Sequence, residues 1–262
     1  MDQWEMVLPP SRPTKEELQR IESVIDRYDR RIPVAILGST PEFRELLSRL
    51  GFQNRYIFDK SRDFYNRMSN LIPESATVAE HLIQGEWLDT ISEYDCYFQV
   101  ILSDLTMGNI AYRDREKFYS DIAVSLLRNG VFIDKVLAFD FKIPTINELF
   151  LKYERLPINL RTINDFSSEV LFCSELVMME RTVNSSQFYK IIDNGNYSDK
   201  IKYFSRMARM ITPEGFSWDY GVPWSELSPV YNSFYKFQVV FPEIDVESAY
   251  FMRTKQFFNY KS

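Results

Sequence analysis

Hydrophobic and polar positions alternate in a regular rhythm along the first half of the chain. Val34–Leu37 is an apolar run without charge, as expected for a strand buried on both faces. The turn Gly38–Pro41 interrupts it, and leucine and phenylalanine residues then recur at helical spacing. Thr40 is expected to be the helix N-cap, with Pro41 at the first helical position. The pattern therefore predicts a strand, a tight turn and a helix in direct succession.

The same rhythm continues through four further apolar runs, each followed by a polar turn. The strands predicted from these runs are Arg55–Phe58, Val78–Gln84, Tyr97–Leu102 and Gly130–Leu137. A helix capped by Ser61 follows the second strand, and a helix over 114–128 precedes the fifth. Strands that alternate with helices at this spacing predict a Rossmann-like, doubly wound α/β fold with a mainly parallel sheet.

The second half of the chain has a different pattern. Residues 144–230 predict several helices and no short strand, whereas 234–241 and 249–258 predict two strands joined by a hairpin-type loop. We expect these two strands to rejoin the sheet, which makes the helical segment an insertion that covers the strand ends. The predicted parts are an N-terminal arm and helix (1–30), a sheet core (31–140 and 231–262) and the helical insertion (141–230).

The first predicted helix follows a proline-rich segment that ends at Pro13. Thr14 and Glu17 have the spacing of a capping box, in which each side chain bonds the other residue's backbone N–H. Apolar residues after them recur on one face, so an amphipathic helix is predicted there.

Composition narrows the class of protein. The 262 residues include 21 Phe, 16 Tyr and 4 Trp, an excess that indicates either a thick core or an aromatic-lined pocket. The net charge of −6 leaves no basic face for binding nucleic acid. Cys96 and Cys173 lie in apolar surroundings without a partner at metal-ligand spacing, so both are expected to be buried packing residues of a reduced, cytoplasmic protein. No apolar run has the length of a membrane span.

Polar or small residues follow four of the predicted strands. The four groups are Gly38-Ser39-Thr40, Asp59-Lys60-Ser61, Gly85-Glu86-Trp87 and Ser103-Asp104. Because ligands of parallel sheets bind outside the carboxyl ends of the strands, these groups predict a nucleoside-type site. Asp59 follows Gly38 by about 20 residues, the separation at which a carboxylate reaches ribose hydroxyls. Glu86 is a candidate acceptor for an adenine amine, and Trp87 or Phe58 offers a flat apolar wall.

Five segments of the chain resemble the successive motifs of class I S-adenosylmethionine-dependent methyltransferases, in the same order. They are VAILGSTPEFRELL, YIFDKS, IQGEWLDTI, YFQVILSDLTMGNI and LLRNGVFIDKV. The resemblance covers residues 4–138 and is nearest to bacterial, small-molecule members with a Gly-x-Thr-Pro-Glu turn. It implies methyl transfer with S-adenosyl-L-methionine as the cofactor, bound by the sheet core, while the insertion forms an acceptor cap.

The resemblance also implies a role for each group of residues. Gly38 and its neighbours would approach the methionine part of the cofactor, and Asp59 would hold the ribose. Glu86 would meet the adenine amine, Asp104 would line the methyl-transfer pocket, and Arg12 would pair with a carboxylate if the N-terminal arm folds over the cofactor. A solvated surface position is the alternative for Arg12. The implied cofactor residues in the strand-end groups are Gly38, Ser39, Thr40, Asp59, Lys60, Ser61, Glu86, Trp87, Asp104 and Leu105.

Methyl transfer is an in-line displacement, for which an enzyme mainly positions the acceptor. An alcohol or amine acceptor often needs a general base, and His81, the only histidine, is better explained as a packed or solvent-facing strand residue. A base would then be Asp104, another carboxylate or a tyrosine, which favours an ionisable oxygen on a small molecule or short peptide as acceptor. Residues 104–109 do not match the Asn/Asp-Pro-Pro-Tyr/Phe pattern of nucleic-acid methyltransferases.

Alternatives stay open at the acceptor site and for the function as a whole. Trp218 and Tyr220 lie in an aromatic-rich segment and either line the acceptor pocket or pack against the core. A non-catalytic cofactor-binding or partner protein is the competing function. A nicotinamide-dependent oxidoreductase is less favoured, because the first turn lacks G-x-G-x-x-G and no Tyr-x-x-x-Lys pair follows the fourth strand. No metal, nucleic-acid or membrane partner is predicted.

Overall fold

The structure of the protein is a computed structural model. It describes residues 4, 7–8, 12–139, 144–173, 182–219, 222–240 and 254–261. The chain divides into two compact units, each made of several segments. The first, here called the sheet unit, consists of Pro13–Val136, Trp224–Pro242 and Thr254–Ser262. The second, here called the helical unit, consists of Met1–Arg12, Leu137–Pro223 and Glu243–Arg253.

Ten strands are found in the described part of the chain, and most belong to the sheet unit. They are β1 (Val34–Leu37), β2 (Arg55–Asp59), β3 (Glu80–Gln84), β4 (Phe98–Asp104), β5 (Leu126–Phe139), β6 (Thr182–Asn184), β7 (Ser217–Asp219), β8 (Val222–Pro223), β9 (Lys236–Val240) and β10 (Thr254–Tyr260). The main sheet has the order β3-β2-β1-β4-β5-β10-β9. Neighbours from β3 to β5 are parallel, whereas β9 and β10 are antiparallel.

Helices separate the parallel strands, as a right-handed crossover connection requires. In the part of the chain that the structure describes, the α-helices are α1 (Lys15–Ile25), α2 (Pro41–Arg49), α3 (Arg62–Ser69), α4 (Trp87–Thr90), α5 (Arg115–Ser125), α6 (Ile146–Arg155), α7 (Leu160–Cys173), α8 (Ser185–Asn194), α9 (Asp199–Ile211) and α10 (Trp224–Phe234). Five of them, α6 to α10, lie between β5 and β9 in the described residues. The predicted Rossmann-like, mainly parallel sheet with a helical insertion before the last two strands is confirmed.

The register of the sheet fixes which residues meet at its carboxyl edge. Leu37 of β1 is paired with Phe58 of β2 and with Ser103 of β4. Asp59, the next residue of β2, is paired with Gln84, the last residue of β3. The residues that follow these pairs therefore leave the sheet side by side, at the edge where ligands bind in this kind of fold.

The core of the sheet unit lies between the central strands and the first two helices. Ile21 and Ile25 of α1 and Leu47 of α2 are completely buried against β1, β2, β4 and β5. Burying a side chain of this size contributes about 1.5–3 kcal/mol. The capping box predicted at Thr14 and Glu17 is present and begins α1, so this helix is anchored at its first turn as well as along its buried face.

Several boundaries differ from those predicted. The third strand begins at Glu80 instead of Val78, whose side chain is 82% exposed. The predicted helix 114–128 ends at Ser125, because the chain from Leu126 onward already pairs with β4 across an irregularity near Phe98. An extended strand thus takes over residues whose apolar pattern also suits a helix.

Two expectations about the rest of the chain are wrong. Short strands do occur in 144–230: β6 pairs antiparallel with β7, and β8 pairs with the last residues of β5. They were missed because two- and three-residue strands are too short to show a period of two. Cys96 is an exposed residue with φ of 47°, whose N–H donates to the Val124 carbonyl at 3.0 Å, and not a packing residue. The side chain of Cys173 lies outside the described residues.

Candidate functional site

Gly38 makes the turn that ends β1. Its φ of +91° lies in the region that favours glycine, and its N–H donates to the Phe58 carbonyl at 2.8 Å. A Cβ placed on Gly38 would come no closer to another residue than 4.0 Å, from Cζ2 of Trp87. The backbone conformation, and not crowding, is therefore what requires glycine here, and the space beside the turn is open.

The carboxylate of Asp59, at the end of β2, accepts a hydrogen bond on each of its two oxygens. The Ser39 hydroxyl donates to its Oδ2 at 2.6 Å, and the Ser61 N–H donates to its Oδ1 at 2.9 Å. Ser61 in turn caps α3, as predicted, by accepting the Phe64 N–H. A carboxylate has about four acceptor positions, so Asp59 is oriented by these two bonds and can still accept two hydroxyl donors.

The third strand end contributes an indole ring. Trp87, the first residue of α4, donates its Nε1–H to the Phe58 carbonyl at 2.9 Å, which brings the ring from the end of β3 to the end of β2. Glu86 precedes it as the N-cap residue, and its carboxylate is 3.6 Å from Nζ of Lys60. Both of these charged side chains are mostly exposed, so their pairing contributes little to stability and leaves them available to a ligand.

The first residues of α2 lie directly after the turn that ends β1. Thr40 is the N-cap residue and Pro41 occupies the first helical position, as predicted, although the Thr40 side chain makes no capping bond. Thr106, in the turn after β4, donates its hydroxyl to the Leu37 carbonyl at 3.3 Å. The turns after β1 and β4 are thereby joined across the edge of the sheet.

The turn after β4 is unusual in its backbone. Leu105 has φ of 58°, a left-handed conformation that is uncommon outside glycine, and its N–H donates to the Lys135 carbonyl at 2.9 Å. Such a residue at a strand end directs the chain sharply away from the sheet. Backbone conformations of this kind occur often at binding and catalytic sites.

A buried cluster of charges lies directly behind this turn. Nζ of Lys135 is 3.3 Å from Oδ1 of Asp104 and 3.2 Å from Oε2 of Glu17, and all three side chains are 2% exposed. Burial raises the pKa of Asp104 to about 7, Lys135 opposes this rise, and Glu17 and Glu42 add to it. Asp104 therefore titrates near neutral pH, unlike an ordinary aspartate.

The part that Glu17 and Lys135 play in this cluster was not predicted. Lys135 lies in β5, and Glu17 lies 118 positions earlier in the sequence. A signal for Lys135 was present: Asp134 and Lys135 interrupt the otherwise apolar run 131–137, where a buried strand should carry no charge. A charge in such a position requires a partner, although the sequence does not say which.

Three predicted residues lie in the helical unit. Arg12 stacks on the Trp4 ring, with its guanidinium carbon 5.8 Å from the ring centroid. Trp218 is in β7, with Val183 opposite it in β6, and Tyr220 lies outside the described residues. Whether these residues contact a cofactor or an acceptor stays a prediction.

His81, the only histidine of the sequence, does not lie at the carboxyl edge of the sheet. His81 is an exposed residue of β3 whose ring lies 4.9 Å from that of Tyr56, on the strand rather than at its end.

In the described residues, no group of three or more His, Cys, Asp or Glu side chains has the arrangement of a metal site. The described helices also include none that is both long enough and apolar enough to cross a membrane.

Comparison with known proteins identifies the fold. The chain is similar to a protein from Listeria monocytogenes provisionally assigned as an S-adenosylmethionine-dependent methyltransferase, with 14% identity, a TM-score of 0.55, and 95% of this chain and 100% of that chain covered. It is also similar to a protein from Pyrococcus horikoshii OT3, with 12% identity, a TM-score of 0.55, and both chains covered completely.

A third similar structure, from Rhodobacter sphaeroides, is provisionally assigned as a Zn-dependent alcohol dehydrogenase, with 13% identity, a TM-score of 0.54, and 99% of this chain and 97% of that chain covered. No protein-family model and no curated protein matches the sequence. Likeness at such low identity defines the fold alone. Together with the strand order, it shows that the chain has a Rossmann-like α/β fold, which it shares with these structures.

Proposed function

We propose that the protein binds S-adenosyl-L-methionine at the carboxyl edge of its sheet and transfers the methyl group to an ionisable oxygen of a small molecule or short peptide. The observation that carries this proposal is the register that places Gly38, Asp59 and Trp87 side by side, joined through the Phe58 carbonyl and the Ser39 hydroxyl. The shared fold supports it.

The residues at this edge fit the parts of the cofactor. The open space beside Gly38 allows close approach of the methionine part, and the preoriented Asp59 carboxylate accepts the two ribose hydroxyls. The Trp87 ring provides a flat surface for the adenine, and Glu86 accepts its amine after leaving Lys60. When bound, the cofactor supplies an electrophilic methyl group on a positively charged sulfur.

Asp104 is proposed as the group that lines the methyl-transfer pocket. Its neutral-range pKa suits a residue that holds or takes up a proton at working pH, since a base is most effective when its pKa is near that pH. Its side chain is buried in contact with Lys135, so a role in direct contact with the acceptor requires the turn at Leu105 to open.

The rest of the chain is assigned roles by the same proposal. The cofactor-binding core is 31–140 with 231–262, the acceptor cap is 141–230 with Trp218 and Tyr220 as candidate contacts, and Arg12 is a candidate cofactor contact. The acidic net charge favours a small or peptidic acceptor over nucleic acid. The proposed cytoplasmic location rests on cysteine usage, and the free, exposed Cys96 is consistent with a reducing compartment.

Calorimetric titration tests the cofactor class. We expect S-adenosylmethionine and S-adenosylhomocysteine to bind, and NAD not to bind, because the Gly38 turn lacks the glycine pattern of a dinucleotide site. The similarity to a chain assigned as a dehydrogenase makes NAD the appropriate comparison ligand. Binding of NAD without S-adenosylmethionine would overturn the proposal.

Catalysis is separated from binding by a second measurement. Incubation with methyl-labelled cofactor and a fractionated cell extract should transfer label to a small-molecule or peptide fraction, and the label should be released by mild alkali if the acceptor is a carboxylate oxygen. Binding without transfer to any fraction would favour the non-catalytic alternative, a cofactor-binding partner protein.

A further inference from the structure

The Glu17–Lys135–Asp104 cluster joins three separate parts of the sheet unit. Glu17 belongs to α1, Asp104 ends β4, and Lys135 is the residue of β5 paired with Asp104 in the sheet. The same Oε2 of Glu17 that faces Lys135 accepts the Thr14 N–H at 2.7 Å in the capping box. The start of α1 is thus connected, through one ammonium group, to the turn that borders the proposed site.

Two carboxyl groups of this cluster share the contacts of one ammonium group. Two carboxyl groups face one ammonium group at 3.2 and 3.3 Å, and Glu42 of α2 adds a further negative influence on Asp104. Burying two carboxylates close to each other is unfavourable, so a proton on Asp104 or a cationic ligand beside it stabilises the cluster. Lys135 contacts both carboxyl groups. The charge of Glu17 therefore affects how strongly the cluster stabilises the ionised form of Asp104.

We propose that Glu17 and Lys135 are positioning residues that set the charge of the Asp104 carboxyl, so that binding of the positively charged methyl donor beside it is coupled to release of a proton. The inference rests on the proposed function for the identity of the ligand. The arrangement of the three side chains stands on geometry alone.

The direction of the coupling follows from the charges. A cationic ligand favours the ionised form of Asp104, and the ionised form favours the cationic ligand, because linkage is reciprocal. Affinity should therefore rise with pH through the interval in which Asp104 ionises. The groups that face Asp104 from neighbouring elements are Lys135 of β5, Glu17 of α1 and Glu42 of α2.

Glu17→Gln is the decisive variant, because glutamine preserves the capping box and removes only the charge. Glu22→Gln is its matched control: it makes the same substitution on the same helix, in an exposed pair with Arg49 at 2.7 Å. Lys135→Gln is a second variant with the opposite expected effect. Thermal unfolding of each variant establishes that it is folded before it is compared.

The first readout is the carboxyl ¹³C titration of Asp104, assigned with Asp104→Asn. We expect the midpoint in Glu17→Gln to fall by about one pH unit or more, and that in Lys135→Gln to rise, since the first removes a neighbouring negative charge and the second a positive one. In Glu22→Gln it should move by less than about 0.3, because exposed charges are screened. An unchanged midpoint in folded Glu17→Gln overturns the assignment of Glu17.

The second readout is the affinity for S-adenosylmethionine between pH 5.5 and 8.5. We expect the wild-type affinity to rise about fivefold or more over this range, within the usual size of coupling between sites, and the rise to move to lower pH in Glu17→Gln. Binding that is independent of pH overturns the inference and leaves the proposed function intact. Absence of binding at every pH overturns the proposed function, and the proton coupling with it.

Discussion

Two buried ion clusters of the sheet unit differ in how their charges are matched. Arg44 of α2 donates to both oxygens of Glu80 at 3.0 and 2.7 Å, and both side chains are fully buried. Tyr65 and Ser69 complete this cluster with hydrogen bonds of 2.9 and 2.7 Å. The Lys135 cluster has one ammonium group for two carboxyls, at 3.2 and 3.3 Å.

The difference separates a structural role from a functional one. The Arg44 guanidinium makes two hydrogen bonds with one carboxylate, and this bidentate geometry fixes α2 and β3 to each other. Buried Arg55 also interacts with Glu80 and Arg44, and burial lowers its pKa. Burial raises the pKa of Asp104 to about 7, and the Lys135 ammonium group, which it shares with Glu17, opposes this rise only in part. Strongly perturbed groups of that kind concentrate at functional sites, and Asp104 lies at the carboxyl edge, whereas Arg44 and Glu80 lie away from it.

The largest effect should come from breaking the balanced pair. Glu80→Ala leaves the Arg44 guanidinium buried without its carboxylate, which should lower the free energy of unfolding by about 3–5 kcal/mol. Urea denaturation measures this loss. A loss no larger than that of an exposed pair would show that the Arg44 cluster is not the structural element described.

Removing the Asp104 carboxyl should instead increase the free energy of unfolding, and only at pH values above the ordinary aspartate pKa of 3.8. The pKa of Asp104 is raised from 3.8 to about 7, so between these values the native state holds a proton that the unfolded state has lost. Wild-type stability should therefore fall as pH rises through this interval, and Asp104→Asn should abolish that fall. We expect Asp104→Asn to gain about 1–3 kcal/mol relative to wild type between pH 5 and pH 8.

The matched measurement for this prediction is the pH dependence of the urea midpoint for wild type and Asp104→Asn. A parallel pH dependence of the two proteins would mean that Asp104 is ionised throughout and that the two clusters do not differ as described.

A smaller effect is expected within the balanced cluster. Tyr65→Phe removes one hydroxyl bond to Glu80 and keeps the ring that packs 4.4 Å from the Arg44 guanidinium carbon. The free energy of unfolding should fall by about 1 kcal/mol, the usual value of one hydrogen bond. A fall as large as that of Glu80→Ala would mean that Tyr65, and not the carboxylate, holds the guanidinium in place.

The smallest effect is expected at the surface. Arg49 and Glu22 form a pair of similar length, 2.7 Å, but with half-exposed side chains. Glu22→Gln should leave the urea midpoint unchanged within error, because solvent already screens both charges. A clear shift would show that the contribution of an ion pair to the free energy of unfolding depends on the distance between the charged atoms and not on burial.

Most of the fold could be predicted from sequence patterns that span only a few residues. The uncharged run 34–37, the Ser61 cap and the capping box at Thr14 each act over a few residues, and each occurs where it was predicted. The boundaries of β3 and β5 were less accurate, because Val78 and Leu126 have apolar side chains that suit either state, and tertiary pairing decides between them.

The site was predictable only in part, for a similar reason. The polar residues after each strand could be read from the sequence, since the edge of a parallel sheet collects them in a known place. The pairing of Asp104 with Lys135 and Glu17 depends on contacts between distant parts of the chain, which no local pattern encodes. The hydroxyl of Ser39 on Asp59 is likewise a consequence of sheet register.

The most direct test of the account is the affinity of S-adenosylhomocysteine for Asp59→Ala, measured by calorimetry beside wild type. Asp63→Ala, the same substitution at an exposed residue of α3, is the control. We predict at least about tenfold weaker binding for Asp59→Ala, since a charged acceptor for two hydroxyls is lost, and unchanged binding for Asp63→Ala. Equal affinity in folded Asp59→Ala would contradict the placement of the cofactor at this edge.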